Sequence, residues 1–279
     1  MASNLHTHSH YSDGSSPPED YIGEAIKQGF RSIGFSDHSP LPFQNTFAIK
    51  EERAGDYCDA ILKLKNRYKG RIDVMLGMEI DFIPGVANTP SWFRQHYPLD
   101  FIIGSVHLVK NPGVEKLWFI DGPYRESYDA GLTEVFGGDI REGVTAYFRQ
   151  LQEMISVYKP DVVGHMDKIK MHNRDRFFRE DEPWYRKLAE ETLSLMPDAG
   201  CRMEVNTRGI YKKRSETTFP GPWILQKALE MGIPVTITSD AHKPEELSLH
   251  LADTAARLKQ SGFRSHWIFT ANGWREVLL

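Results

Sequence analysis

The chain has 279 residues, with 34 Lys and Arg against 38 Asp and Glu and a formal net charge of −4; the charges are mixed along it, with no long basic tract of the kind that serves a nucleic-acid partner. An apolar content of 40% suffices for one large core, so a single domain over 1–279 is expected. Cys58 and Cys201 lack Cys-x-x-Cys spacing, which excludes a disulfide framework or zinc knuckle, and with neither a leader-like segment nor an apolar run long enough for a bilayer the expected address is cytoplasmic, with no membrane partner.

Short apolar runs alternate with longer amphipathic ones, which favours a parallel sheet with crossover helices over a sandwich or bundle. Leu5 leads into His6-Thr7-His8, and a helix at 19–28 follows Ser16-Pro17-Pro18 and stops at Gly29, as helix ends commonly do. Strands are then expected at 32–35, 72–76 and 101–103, with a helix at 51–68 between the first two. The stretches 44–48 and 111–138 have weak periodicity and much Gly, Pro and aromatic content, so they read as loops over the site. A helix at 142–158 precedes the strand 162–163, a helix at 183–195 precedes 202–205, and a helix at 223–231 precedes 235–238. An eighth strand at 267–269 is left open, and Lys212-Lys213-Arg214 reads as a wetted surface loop.

These runs end on side chains that bind divalent cations: His6 and His8, His38, Glu79, His107, His165, and Asp240 with His242. In a barrel of parallel strands the reactive groups gather at the carboxyl ends, and imidazole with carboxylate suits zinc, manganese or iron. His6 and His8 are two apart and share one side of an extended segment, as do Asp240 and His242. Asp13 stands beside a tight turn, where Gly14 is expected to take positive φ and fold the chain back over the histidine pair. His38 is the favoured ligand of Ser36-Asp37-His38-Ser39-Pro40, with Asp37 either orienting it or capping a turn. The two oxygens of Glu79 can bridge two ions, and two ions roughly 3.5–4 Å apart are what phosphate hydrolysis uses. His96, His172, His250 and His266 sit in polar or helical contexts and are assigned to surface or packing roles.

In order, then, the chain carries His6-x-His8, Ser12-Asp13-Gly14, Asp37-His38, Gly77-x-Glu79, His107, His165 and Asp240-x-His242. This set resembles the PHP superfamily, named for polymerase and histidinol phosphatase domains. The segments 33–40, 76–81 and 99–107, with Gly164-His165-Met166-Asp167 and Glu204-Val205-Asn206-Thr207, are most similar to the monofunctional histidinol-phosphate phosphatases, over nearly the full length. The resemblance implies an α/β fold, a distorted (β/α)7 TIM-like barrel, with three divalent ions (zinc, manganese or iron). It assigns His6, His8, Glu79 and Asp240 to the first ion, Glu79, His107 and His165 to the second, and Asp13, His38 and His242 to the third.

The activity it implies is hydrolysis of L-histidinol phosphate to L-histidinol and inorganic phosphate, a step of histidine biosynthesis. A hydroxide between the first two ions would attack phosphorus in line, with Glu79, Asp240 and His242 as the catalytic set. Arg208, directly after a strand, is expected to bind phosphate through its planar fork, with Lys170 adding a point charge. Asp121 and the pair Trp118-Phe119 are expected to face the amine and imidazole of the substrate, although Arg208 as a rim ion pair, Lys170 as an ordinary exposed lysine and the aromatics as packing anchors stay open. Two other readings also stay open. One is a PHP phosphoesterase for another small phosphomonoester or a nucleotide. The other is an inactive metal-binding scaffold, whose signature would be a missing ligand; none is missing. A small phosphomonoester is thus the expected partner, and the weak basic patterning speaks against nucleic acid.

Overall fold

The computed structural model describes residues 3–279. In chain order its strands are β1 (Ser3–Asn4), β2 (Ser32–Phe35), β3 (Asp73–Asp81), β4 (Phe101–Ser105), β5 (Leu108–Lys110), β6 (Leu117–Phe119), β7 (Val162–Val163), β8 (Arg202–Asn206), β9 (Val235–Thr238), β10 (Ser265–Thr270) and β11 (Gly273–Leu278). Seven of them run in the order β1-β2-β3-β4-β7-β8-β9, every neighbouring pair parallel. Just beyond β1 and β9 the ring closes: Thr7 and Ala241 form a parallel bridge, with His8 N donating to Ala241 O at 2.8 Å and Ala241 N to His6 O at 3.0 Å. Asn4 reinforces this seam by bonding both the hydroxyl and the backbone N–H of Ser239. The molecule is therefore a distorted (β/α)7 barrel, and its strands are buried on both faces, which is why they read as unbroken apolar runs.

Inside the barrel, Leu5, Met75, Phe101, Ile103 and Val162 pack together. Phe101 fills the space left by two glycines: a Cβ on Gly34 or Gly77 would lie 2.8 or 2.5 Å from its ring. The segment expected as an eighth strand is β10, which pairs antiparallel with β11 rather than joining the barrel. Its Phe269, with Trp274 of β11, packs against the interior cluster. Along β10 only Ile268 and Thr270 are fully buried, and no position of the strand is fully exposed.

Helices Pro18–Lys27, Ala54–Arg67, Ile140–Glu153, Pro183–Ser194 and Pro222–Glu230 lie between strands where the apolar spacing places them, and they bury those faces against the barrel. Two more, Pro90–His96 and Leu251–Gln260, were not anticipated. The first has clear start chemistry: the Thr89 hydroxyl accepts from Trp92 N, and Pro90 occupies the first turn. The stretch 111–138 is not a plain loop; it contains β6 and the helix Arg125–Phe136. Trp118 organises it, fully buried against Tyr128 and Phe136 with its indole N–H donating to Tyr128 O at 2.8 Å. Among the described residues no helix is long and apolar enough to cross a membrane.

Candidate metal centre and phosphate cavity

The barrel topology brings all nine candidate ligands to one mouth, around Glu79. Glu79 Oε2 lies 3.2 Å from His6 Nε2, 3.4 Å from His8 Nε2 and 3.3 Å from His38 Nδ1. Its Oε1 lies 3.1 Å from His165 Nε2 and 3.6 Å from His107 Nε2. Asp240 Oδ1 stands 3.8 Å from His6 Nε2, 3.6 Å from His8 Nε2 and 3.4 Å from His242 Nδ1. Asp13 reaches back to the cluster, 3.1 Å from His242 Nε2 and 3.5 Å from His8 Nδ1. Four sets have donor atoms mutually within 4.8 Å: His6-His8-Glu79, His6-His165-Asp240, His38-Glu79-His107, and His8-Asp13-His38-His242. These sets interlock and cut across the three-way division drawn from the resemblance: His38 stands with Glu79 and His107 as well as with Asp13, and His165 with His6 and Asp240.

Behind the ring of histidines stands a layer of carboxylates that sequence reasoning missed. Asp81 is two residues beyond Glu79 on β3 and so on the same face; it accepts from His38 Nδ1 at 3.0 Å and from His107 Nδ1. Glu204 on β8 accepts from His6 Nδ1, from the backbone N–H of His165 at 2.6 Å and from the Thr238 hydroxyl at 2.6 Å. A carboxylate on one ring nitrogen fixes the tautomer and turns the other nitrogen inward, the common support of a metal-bound histidine. Period two along β3 was the available signal for Asp81. Asp37 does not orient His38. It accepts from Ser9 N at 2.8 Å, Ser12 N at 3.1 Å and the Ser12 hydroxyl at 2.7 Å, folding the segment that carries Asp13 over His8. Gly14 is not at positive φ; it is needed because a Cβ there would lie 2.0 Å from the His8 carbonyl oxygen.

Burial disfavours charge on all these groups, and the neighbours decide the outcome. At Glu79 burial is outweighed by His6, His38 and His107, which hold the carboxyl well below its usual range. Asp240 is likewise depressed against its burial, by His6, Arg208 and Lys168. His38 overcomes burial through Glu79 and Asp81 and is pushed up to about 10, and His107 through Asp121 and Asp81 to about 9. His8 moves the other way: burial, with His242 and His38 beside it, drives it well below the ordinary imidazole value, and burial with Lys168 lowers His165. Those two rings offer neutral lone pairs. His6 Nε2 and both ring nitrogens of His8 are buried and have no hydrogen-bond partner among the described residues, a rare and costly condition for polar atoms. Divalent cations among these nitrogen and oxygen donors would relieve it, so the residues fit such ions.

Over the cluster lies a cavity of about 220 Å³, floored by the candidate ligands and walled by Thr46, Phe47, Phe119, Asp121, Lys168, Arg208 and Arg214. A larger groove of about 830 Å³ between helices Ile140–Glu153 and Pro183–Ser194 contains none of the candidate ligands. Arg208 and Asp121 line the site cavity as expected by position; Asp121 Oδ2 is 3.5 Å from Lys168 Nζ and 3.7 Å from His107 Nε2. Lys170 does not line it. Its ammonium is buried between Asp167 at 2.7 Å and Glu180 at 3.0 Å, and Lys168 is the lysine in the wall. Both sit on the 3-10 turn Lys168–Lys170, where three residues complete a turn and positions two apart face different ways. Similarly Phe119 faces the cavity while Trp118, its neighbour on β6, points into the core. Nor is 212–214 only a wetted loop: Lys212 Nζ pairs with Glu246 at 2.6 Å and Arg214 lines the cavity.

Comparison with known proteins adds three findings. The PHP domain profile matches residues 4–208. A "probable histidinol-phosphatase" of Deinococcus radiodurans is 28% identical over 258 residues, covering 89% of this chain and 88% of its own, and the histidinol-phosphatase of Bacillus subtilis is 28% identical over 237 residues, covering 80% and 86%. The crystal structure of a Lactococcus lactis histidinol phosphate phosphatase, complexed with zinc, L-histidinol and phosphate, shares the fold with a TM-score of 0.70 at 20% identity, covering 98% of each chain.

Proposed function

Because the chain belongs to the PHP family, we propose that it is a metal-dependent phosphoric monoester hydrolase that cleaves L-histidinol phosphate to L-histidinol and inorganic phosphate, a step of histidine biosynthesis. The observation that carries this reading is the convergence of His6, His8, His38, His107 and His165 on the two oxygens of a single buried Glu79, with Asp240 in a second donor set that shares His6 and His165. Support for the substrate comes from relatives named for that activity, which span most of the chain, and from the L. lactis protein that holds zinc, histidinol and phosphate.

Three divalent ions, zinc foremost, would be held by His6, His8, Asp13, His38, Glu79, His107, His165, Asp240 and His242. Such ions supply Lewis-acid stabilisation of phosphoryl oxygens and lower the pKa of a water nucleophile. The protein's own groups do the rest. Arg208 and Lys168 neutralise charge on the phosphoryl oxygens from a wall that is already ordered, so no reorganisation is needed as charge develops. Asp121 takes the ammonium of the substrate. The stacked rings of Phe47 and Phe119, with centroids 5.4 Å apart, offer an apolar face to its imidazole. A space of about 220 Å³ suits a small phosphate ester.

Phosphate release from L-histidinol phosphate, p-nitrophenyl phosphate, a sugar phosphate and a nucleoside monophosphate tests the assignment with zinc-loaded protein. We expect kcat/KM for L-histidinol phosphate to exceed the others by at least about a hundredfold, since buried polar groups reject ligands that leave them unpaired. Comparable turnover of the aryl ester would remove histidinol phosphate as the substrate.

A further inference from the structure

Glu246 belongs to none of the candidate ligand sets, yet its side chain is only 6% exposed. It closes the single turn Pro244–Glu246 that follows His242 almost directly. Four groups converge on its carboxylate: Lys212 Nζ at 2.6 Å, the His242 backbone N–H at 2.9 Å, the Tyr211 hydroxyl at 3.4 Å and Arg208 Nη1 at 3.6 Å. Arg208 Nη1 also donates to the Asp240 carbonyl at 2.7 Å and lies 3.3 Å from the Tyr211 hydroxyl. All polar contacts of this guanidinium thus run through one nitrogen. Nε and Nη2 have no protein acceptor among the described residues, on a side chain that lines the cavity.

The carbonyl that Arg208 grips is unusual as well. Asp240 has φ of 52°, a left-handed conformation that is unfavourable outside glycine and persists where surrounding contacts impose it. Here Arg208 and the Tyr211 hydroxyl at 3.0 Å hold the carbonyl of Asp240, and Glu246 holds the amide of His242 two residues on.

We propose that Glu246 is a positioning residue: it anchors the rear edge of Arg208 so that the front edge is free for a phosphoryl group, and through the His242 amide it ties that grip to the Asp240-His242 end of the ligand cluster. Without a rear anion, the guanidinium would be drawn onto the carboxylates of the cavity floor, where its donors would be occupied before phosphate arrives. Only an acceptor with full charge serves two cations and a backbone N–H at once, which an amide does not. Lys212 balances the second half of that charge from the outer side. The inference rests on Arg208 as a phosphate ligand, and is independent of which alcohol the ester carries.

The test uses the zinc-loaded full chain and Glu246→Gln, with inorganic phosphate binding by calorimetry, KM and kcat on p-nitrophenyl phosphate, and zinc content as readouts. Phosphate affinity should fall about tenfold, and KM rise by a similar factor, for loss of one charge-assisted contact. The change in kcat should be smaller, and zinc content should stay at the parent level. Glu246→Asp keeps the charge on a shorter arm and should recover part of the loss, which also carries the test if the glutamine variant does not fold. In an Arg208→Ala background Glu246→Gln should have no further effect on phosphate affinity. Phosphate affinity within twofold of the parent, an equal loss in the Arg208→Ala background, or a loss that tracks missing zinc would each overturn the proposal. Since the probes are inorganic phosphate and an aryl ester, failure of histidinol phosphate as substrate leaves this result interpretable.

Discussion

Lys168 and Lys170 separate two jobs that sequence alone assigns to one residue. Lys168→Met should lower kcat/KM and, since the Lys168 ammonium stands 3.5 Å from Asp121 rather than in a close pair, should cost less stability than the loss of Lys170. Lys170→Met should instead cost about 3–5 kcal/mol of stability, because it strands the buried Asp167 carboxylate without its cation; chemical denaturation and steady-state kinetics on both variants check this, and the reverse pattern would return Lys170 to the cavity. Protons offer a second check at this scale. His38 and His107, held near 10 and 9 by their carboxylates, carry protons at pH 7.5 that an ordinary imidazole has lost, and a ring must shed that proton to ligate a metal. Zinc added to chelator-stripped protein at pH 7.5 should therefore acidify a weakly buffered solution, and zinc affinity should fall as pH is lowered. Binding with no proton release would contradict the assigned charges. His6, Glu79 and Asp240 were legible because each ends an apolar run with a metal-binding side chain. Glu204 was not, since a carboxylate within a strand has no local mark; its role appears only when β1 and β8 bring His6 and Glu204 together across 198 residues of sequence.

Among the elements, β2, β7 and β9 match their expected limits because a strand buried on both faces leaves an unbroken apolar run. β3 extends to Asp81, past the apolar run, since backbone pairing with β4 continues through Glu79 to Ser105 regardless of side-chain polarity. The helix Arg125–Phe136 was hidden for a different reason. Its glycine and mixed polarity blur the period, and its packing depends on Trp118, whose ring occupies the space a Cβ on Gly131 would need. Close approach of this sort also governs β3. Gly77→Ala would set a methyl 2.5 Å from the Phe101 ring, and overpacking of that kind typically costs about 1–3 kcal/mol. Urea denaturation should show that loss and its partial recovery in Gly77→Ala with Phe101→Leu; a Gly77→Ala protein as stable as the parent would mean the barrel interior yields more easily than its packing suggests.

At the level of the whole molecule, the barrel divides its labour by end. The β10-β11 hairpin packs Phe269 and Trp274 onto the interior cluster, while the carboxyl ends of the strands carry the ligands, the separation of stability from chemistry that such barrels share. Closure of the ring at Thr7 and Ala241 is what brings the first and last ligand-bearing segments side by side, so the site depends on the complete circuit of strands. The most direct test of the account is phosphate release from L-histidinol phosphate by protein stripped with a chelator to below one-tenth metal per chain (about 0.1 equivalent), then reloaded with zinc or manganese. Stripping should abolish turnover and reloading should restore it in proportion to metal bound; full turnover by the stripped protein would contradict metal-dependent hydrolysis at this cluster.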